Sequence, residues 1–222
     1  MAAAVPTGKA INPLLAKYLA ELALNPLRTK AVTTGILSFI QEVLGSNLAG
    51  VPPKRPGKNA SFISHLLAQF HVDARAFKMA LYGFLVSAPL GHVLVTALQR
   101  AFAGKTSTGA KVAQILASNL LVAPIQTVAF LSSMAVINGL RTTDEIINAV
   151  KAGFFSVIRI TWVVSPTSMI VAQNFLPVEL WVPFFNAVQF TLGTYMNTKV
   201  KKAKLAAARK QQKAKDDSEK SA

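Results

Sequence analysis

Two ionisable side chains stand inside otherwise apolar stretches of this chain, Glu42 in the run Ala31 to Leu48 and Arg159 in the run Ala152 to Ala172. A charge at the centre of a bilayer costs about 2.5–3.5 kcal/mol even on lenient insertion scales, so each needs a compensating arrangement. Either the two face the bundle interior and pair or line a wet cavity, or each sits near a span end and reaches headgroups by itself. His92 lies in a further apolar run and could carry a proton near neutral pH, but no second histidine stands three or four residues away to complete a metal site. Asn119, Gln126 and Ser133 recur at every seventh residue, and Thr34, Ser38, Gln41, Glu42 and Gly45 share one side of a helix. Such polar stripes turn inward in a membrane, either to hydrogen-bond between helices or to wet a pathway.

Enzyme chemistry finds no foothold. The sequence has no Gly-rich phosphate loop followed by Lys-Ser/Thr, no HExxH, no nucleophile elbow and no paired carboxylates. Cysteine is absent, which removes thiol nucleophiles, thiolate metal sites and disulfides. The expectation is a protein that is not an enzyme and takes no cofactor or metal.

The elements that must hold these residues follow from length. A hydrocarbon core of roughly 30 Å needs about 20 apolar helical residues. Ala31–Leu48, Met79–Gln99, Val112–Val136 and Ala152–Ala172 supply four such runs, the second bracketed by Arg75, Lys78 and Arg100 as cations at headgroup level would be. The expected fold is therefore all-α, a polytopic membrane helix bundle of about four transmembrane helices. A short amphipathic helix around Leu14 to Leu24 precedes it within an N-terminal segment 1–30, and the bundle occupies 31–197. The last apolar segment, Trp181 to Met196, crosses, tilts or lies in the interface; four crossings leave the termini on one side and five on opposite sides. Pro89, Pro124 and Pro166 fall near mid-span and predict kinks. The three prolines of Val51 to Asn59 predict a polar loop, Thr143 a helix cap before Ile146, and His65 and His71 an interfacial or cytosol-like stretch without a metal site.

Only 15% of residues are charged and 52% are apolar, yet the net charge is +15. The cations sit at segment ends and in a tail, 198–222, that carries nine lysines and arginines, a placement that suits phospholipid headgroups better than nucleic acid. Its Ala, Gln, Lys and Ser content predicts a frayed helix or disorder, facing the cytosol. Met1 to Ala10 match neither a secretory signal nor a mitochondrial presequence, so targeting information is expected to be internal.

The stretch YLAELALNPLRTKAVTTGIL resembles the opening of the Mpv17/PMP22 family of small peroxisomal and mitochondrial inner-membrane proteins, with Glu42 where that family carries an acid. Asp73, Arg75, Gly83, Pro89 and His92 resemble its second signature, although Ser87-Ala88 stand where a Gly-Pro pair begins. Ser118-Asn119 and Pro124 occupy its third, and Trp162, Pro166, Asn174, Phe175 and Pro177 its last. The PLRTKA opening and lysine-rich tail are most similar to the fungal-type peroxisomal branch. The resemblance implies a multi-pass peroxisomal membrane protein (the alternative being the mitochondrial inner membrane) with cytosolic termini, served by the peroxisomal membrane-protein targeting machinery.

Two functions compete. One is a low-selectivity pore for small solutes, lined or shaped by Glu42, His92, Asn119, Gln126 and Arg159. The other is a non-conducting assembly or organising protein that acts through self-association and its basic tail. Both imply the lipid bilayer and further copies of the chain as partners, and neither implies nucleic acid.

Overall fold

The computed structural model describes residues 12–53, 69–70, 72–105, 107–177 and 180–220, with the backbone alone at 108, 111 and 215–220. Met1 to Ala10, most of the expected loop at 51–59, and both His65 and His71 lie outside these residues. Among the described residues every regular element is helical. They form α1 (Pro13–Leu24), α2 (Pro26–Ala49), α3 (Ala74–Ala101), α4 (108–137), α5 (Thr143–Phe175) and α6 (Trp181–Lys220).

Local chemistry sets the boundaries. Pro13 opens α1 behind Asn12, whose side chain accepts from the Leu14 N–H at 2.9 Å. Gly50 closes α2 in the left-handed conformation at φ 66°, which glycine adopts without steric cost. Asp73 caps α3 by accepting from the Arg75 and Ala76 N–H groups at 3.0 and 3.2 Å. The cap of α5 is Thr142, one residue before the expected Thr143, because Glu145 stands three residues later and completes a reciprocal capping box.

Among the described residues three helices are long and apolar enough to cross a membrane: Ala74–Ala101, Val112–Ile137 and Thr143–Phe175. They contain the second, third and fourth runs expected from the sequence. The first run lies in α2, whose 24 residues reach about 36 Å at 1.5 Å per residue but include Gln41, Glu42, Ser46 and Asn47. α2 therefore has the length of a span without the hydropathy. α6 begins with the apolar segment 181–196 and continues unbroken to Lys220, so of the frayed helix or disorder expected for the tail, helix is what forms over the described residues.

Close contacts fix the directions. α3 runs antiparallel to α2, since Gly35 lies against Ala80 and Phe84, and Gly83 against Thr34 and Ser38. α4 is antiparallel to α3 through Tyr82 and Phe130, and α5 to α4 through Leu131 and Gly153. α6 returns parallel to α2, with Gly193 against Gln41 and Gly45 against Asn197. The C-terminal end of α2, the start of α3 and the basic part of α6 thus meet at one end of the bundle.

The buried stripe of α2 is Ala31, Gly35, Ser38, Glu42, Gly45, Ser46 and Ala49, small residues except for the one acid. Small side chains let helix backbones approach where burying apolar surface gives no gain over lipid. The outer faces carry large apolar residues instead, such as Leu116, Leu120 and Leu121 on α4 and Phe155 and Val163 on α5.

A Cβ added at Gly83 would stand 2.5 Å from Ser38 Oγ and 2.6 Å from the Thr34 carbonyl oxygen. Backbone cannot yield as a side-chain tip can, so Gly83→Ala is expected to destabilise by about 1–3 kcal/mol. Gly91→Ala, which would meet only Gln126 Nε2 at 3.2 Å, should cost less. Thermal unfolding in detergent measures both; equal, small losses would refute the tight α2–α3 approach.

Candidate functional site

Glu42 is 1% exposed and lies where α2, α3 and α6 meet. Its Oε1 accepts from Lys201 Nζ at 2.6 Å and stands 2.8 Å from Arg75 Nε, the latter an ion-pair contact without hydrogen-bond alignment. Its Oε2 accepts from Asn197 Nδ2 at 2.9 Å. Lys201 Nζ also donates to the Glu42 carbonyl at 3.2 Å and to Ser46 Oγ, so the three donors of the ammonium have three acceptors. Ser46 Oγ in turn donates to the Glu42 carbonyl at 3.0 Å. From the position just before Glu42, Gln41 Nε2 donates to the carbonyls of Gln189 and Phe190 at 3.2 Å each.

This network replaces the pairing of Glu42 with Arg159, one of the arrangements the sequence left open. Arg159 projects from the exposed side of α5, while the cations on Glu42 come from the start of α3 and from the tail. The reason is helix order in space: α2 is flanked by α3 and α6, and α5 packs chiefly on α4. Burial pulls the Lys201 ammonium below its ordinary range, and the hydrogen bond and charge of Glu42 oppose that pull. Lys204, one turn further, is lowered by the same burial and by the charge of Arg75.

A second polar locus lies on α3, α4 and α5. Both α3 and α4 contain a π-helical turn, Gly83–Ser87 and Ser118–Val122, and each is followed by Ala-Pro, at Pro89 and Pro124. A proline ring clashes with the carbonyl four residues back and lacks an N–H, and a widened turn relieves the clash. In α4 the Ala123 N–H donates to the Ser118 carbonyl, five residues back. The Asn119 carbonyl would then pair with residue 124, a proline with no donor. Trp162 Nε1–H from α5 fills the vacancy at 2.8 Å.

The Asn119 side chain donates to the Ile115 carbonyl at 2.9 Å, but its Oδ1 and His92 Nδ1 are buried without a hydrogen-bond partner. Gln126 faces Gly91 across the α3–α4 contact. The five residues expected to shape one pathway thus separate: Glu42 at the α2–α3–α6 junction, Gln126 at the α3–α4 contact with His92 on α3 and Asn119 on α4, and Arg159 outside. Of the remaining motif residues, Pro166 lies within α5, Asn174 donates to the Ile170 carbonyl at 2.8 Å, Phe175 ends α5 exposed, and the Pro177 carbonyl accepts from the Leu180 N–H at 3.0 Å.

Sequence reasoning missed Lys201, Asn197 and Ser46 as partners of Glu42. The signal available was Asn197 directly after the apolar run, with lysines behind it.

Comparison with known proteins adds a decisive observation. A Woronin body membrane protein of Aspergillus fumigatus, wscA, is 49% identical over 205 residues, covering 92% of this chain and 84% of that protein. The model of the Mpv17 / PMP22 family matches residues 135–197. The chain belongs to the Mpv17/PMP22 family. A Neurospora crassa Woronin sorting complex protein is 46% identical over 88% of this chain, which spans 60% of that longer protein. Peroxisomal membrane protein 2 of Bos taurus is 30% identical, with 82% and 87% of the two chains covered. No solved structure matches. Together with the three apolar helices, these relatives make the chain a multi-pass protein of the peroxisomal membrane, of the fungal type that the opening motif and tail resemble.

Removing one partner of a buried ion pair strands the others. Glu42→Gln should therefore destabilise by about 3 kcal/mol, the low end for such a loss because the Arg75 side chain is 25% exposed. Arg159→Gln should change stability by less than about 0.5 kcal/mol; a loss equal to that of Glu42→Gln in chemical unfolding would restore the discarded pairing. Trp162→Phe should cost about 1–3 kcal/mol, the penalty of an unsatisfied carbonyl. An unchanged melting temperature would mean that the Asn119 carbonyl finds another donor.

Proposed function

We propose that this protein is a non-conducting organising component of the peroxisomal membrane, acting through association with further copies of itself and through its basic helical tail. The observation that carries this reading is that Glu42 is held from two neighbouring helices at once. The buried Glu42 carboxylate accepts from Lys201 and Asn197 with Arg75 at ion-pair distance, and the interfaces around it close at glycine distances through Gly35, Gly45, Gly83 and Gly193. A carboxylate held in this way ties α2 to α3 and α6. Residues 199–220 extend α6 by about 33 Å, a rigid arm on which Lys199, Lys202, Lys204, Arg209, Lys210 and Lys213 are exposed and Lys201 is buried. The relatives named for a Woronin body membrane and a Woronin sorting complex support an organising role.

A permeability function is the second reading, favoured by the buried, partnerless His92 Nδ1 and Asn119 Oδ1. The two separate on one measurement pair. Vesicles holding donor- and acceptor-labelled copies should show energy transfer above random crowding, while planar bilayers with the same protein show no discrete currents. Discrete currents altered by His92→Leu or Gln126→Leu would replace the organising role with conduction.

A further inference from the structure

Beside the Glu42 network, and outside it, lies a cavity of about 290 Å³ between the C-terminal end of α2 and the basic part of α6. Its lining is Ala49, Lys202, Leu205, Ala206 and Arg209. Positions 202, 205, 206 and 209 follow the i, i+3, i+4, i+7 pattern, so one face of α6 presents a cation at each end and an apolar patch between them. Lys201 points elsewhere, toward Glu42.

Three observations define what fits. First, neither Lys202 nor Arg209 has a carboxylate partner among the described residues, since the ion pairs of Glu42 go to Arg75 and Lys201. Second, the depth is that of headgroups. Glu42 is level with Arg75 at the start of the span Ala74–Ala101, and Ala49 lies seven residues further along α2, about 10 Å outward. The polar layer begins just outside a hydrocarbon core of roughly 30 Å. Third, the floor of Ala49, Leu205 and Ala206 is apolar and would suit the glycerol and first methylenes of a lipid rather than a free ion.

We propose that this cleft is a site for one anionic phospholipid, its phosphate held between Lys202 and Arg209 and its glycerol end against Leu205 and Ala206. The guanidinium of Arg209 offers a planar two-donor fork to phosphate oxygens, and Lys202 a point charge. The lipid would supply the anion that the described residues do not, and would bridge α2 to the arm of α6. This site rests on the placement of the helices in a membrane, not on the organising role, and lipid binding is read separately from currents or energy transfer.

The full chain in neutral detergent is titrated with phosphatidylinositol, phosphatidylcholine or inorganic phosphate, and thermal unfolding is followed. A ligand that binds only the folded state raises the melting temperature with concentration. Phosphatidylinositol should protect, and the two comparators should not. Lys202→Gln with Arg209→Gln should weaken the apparent affinity about tenfold or more. Lys199→Gln with Lys210→Gln removes the same charge without touching the cleft and should leave the affinity within about twofold of wild type. Ala206→Phe fills the floor with all cations retained and should also abolish protection, which keeps the test decisive if the charge variant unfolds. Equal protection by inorganic phosphate, equal loss in the Lys199/Lys210 variant, or wild-type affinity in both cleft variants would each overturn the proposal.

Discussion

A carboxylate withdrawn from water must be surrounded by donors and positive charge or it will not remain ionised and buried. Glu42 imposes that condition on the fold. Its partners come from two other helices, so α2 has to lie between α3 and α6, and the contacts on both sides have to be short. The glycines supply the closeness: Gly35 and Gly83 toward α3, Gly45 and Gly193 toward α6. Helix α2 is therefore central because it carries the charge, and it is small-faced because the charge has to be reached. Lys201 makes the constraint long-range, since 159 residues separate it from Glu42.

A second constraint, independent of charge, orders the other half of the bundle. Prolines in the middle of spans free carbonyls that lipid cannot satisfy. Pro89 and Pro124 are met by the same device, a π turn ending just before the Ala-Pro pair. In α4 the remaining carbonyl is answered from a neighbouring helix by Trp162. That indole is thus a tie between α4 and α5 comparable in purpose to Lys201 between α2 and α6, with a backbone group in place of a carboxylate.

Much of this was legible in the residues. Charge-poor runs of 18 or more residues announce helices whose outer faces meet lipid, and the inward turn of Ser38, Glu42 and Gly45 follows from the helical repeat alone. The need of Glu42 for a cation was equally legible, but its identity was not. Arg159 looked suitable because it too sits in an apolar run, and sequence gives the order of helices along the chain but not around the bundle. Lys201 was hidden because it resembles its neighbours: eight other tail cations carry the same composition signal, and only the phase of α6 separates Lys201 from Lys202. The π turns were invisible for a different reason. A proline predicts that something gives way, but where the helix widens and which side chain fills the gap depend on the adjoining span.

The continuity of α6 changes what a basic tail can be. A disordered run of lysines is a diffuse charge, attracted to any anionic surface and indifferent to geometry. In this chain the base of the arm is held by Lys201 and Asn197 against α2, and the helix runs on without a break. Rotation of the arm about its own axis would pull Lys201 from Glu42 and strand both charges, so each later side chain has a fixed azimuth. Lys202 and Arg209 consequently share a side, and that side is the one facing the end of α2. On the proposed reading, membrane organisation follows from this rigidity: copies that present the same cations at the same angle meet lipid headgroups and one another in a repeatable orientation, which a flexible tail of identical composition could not impose.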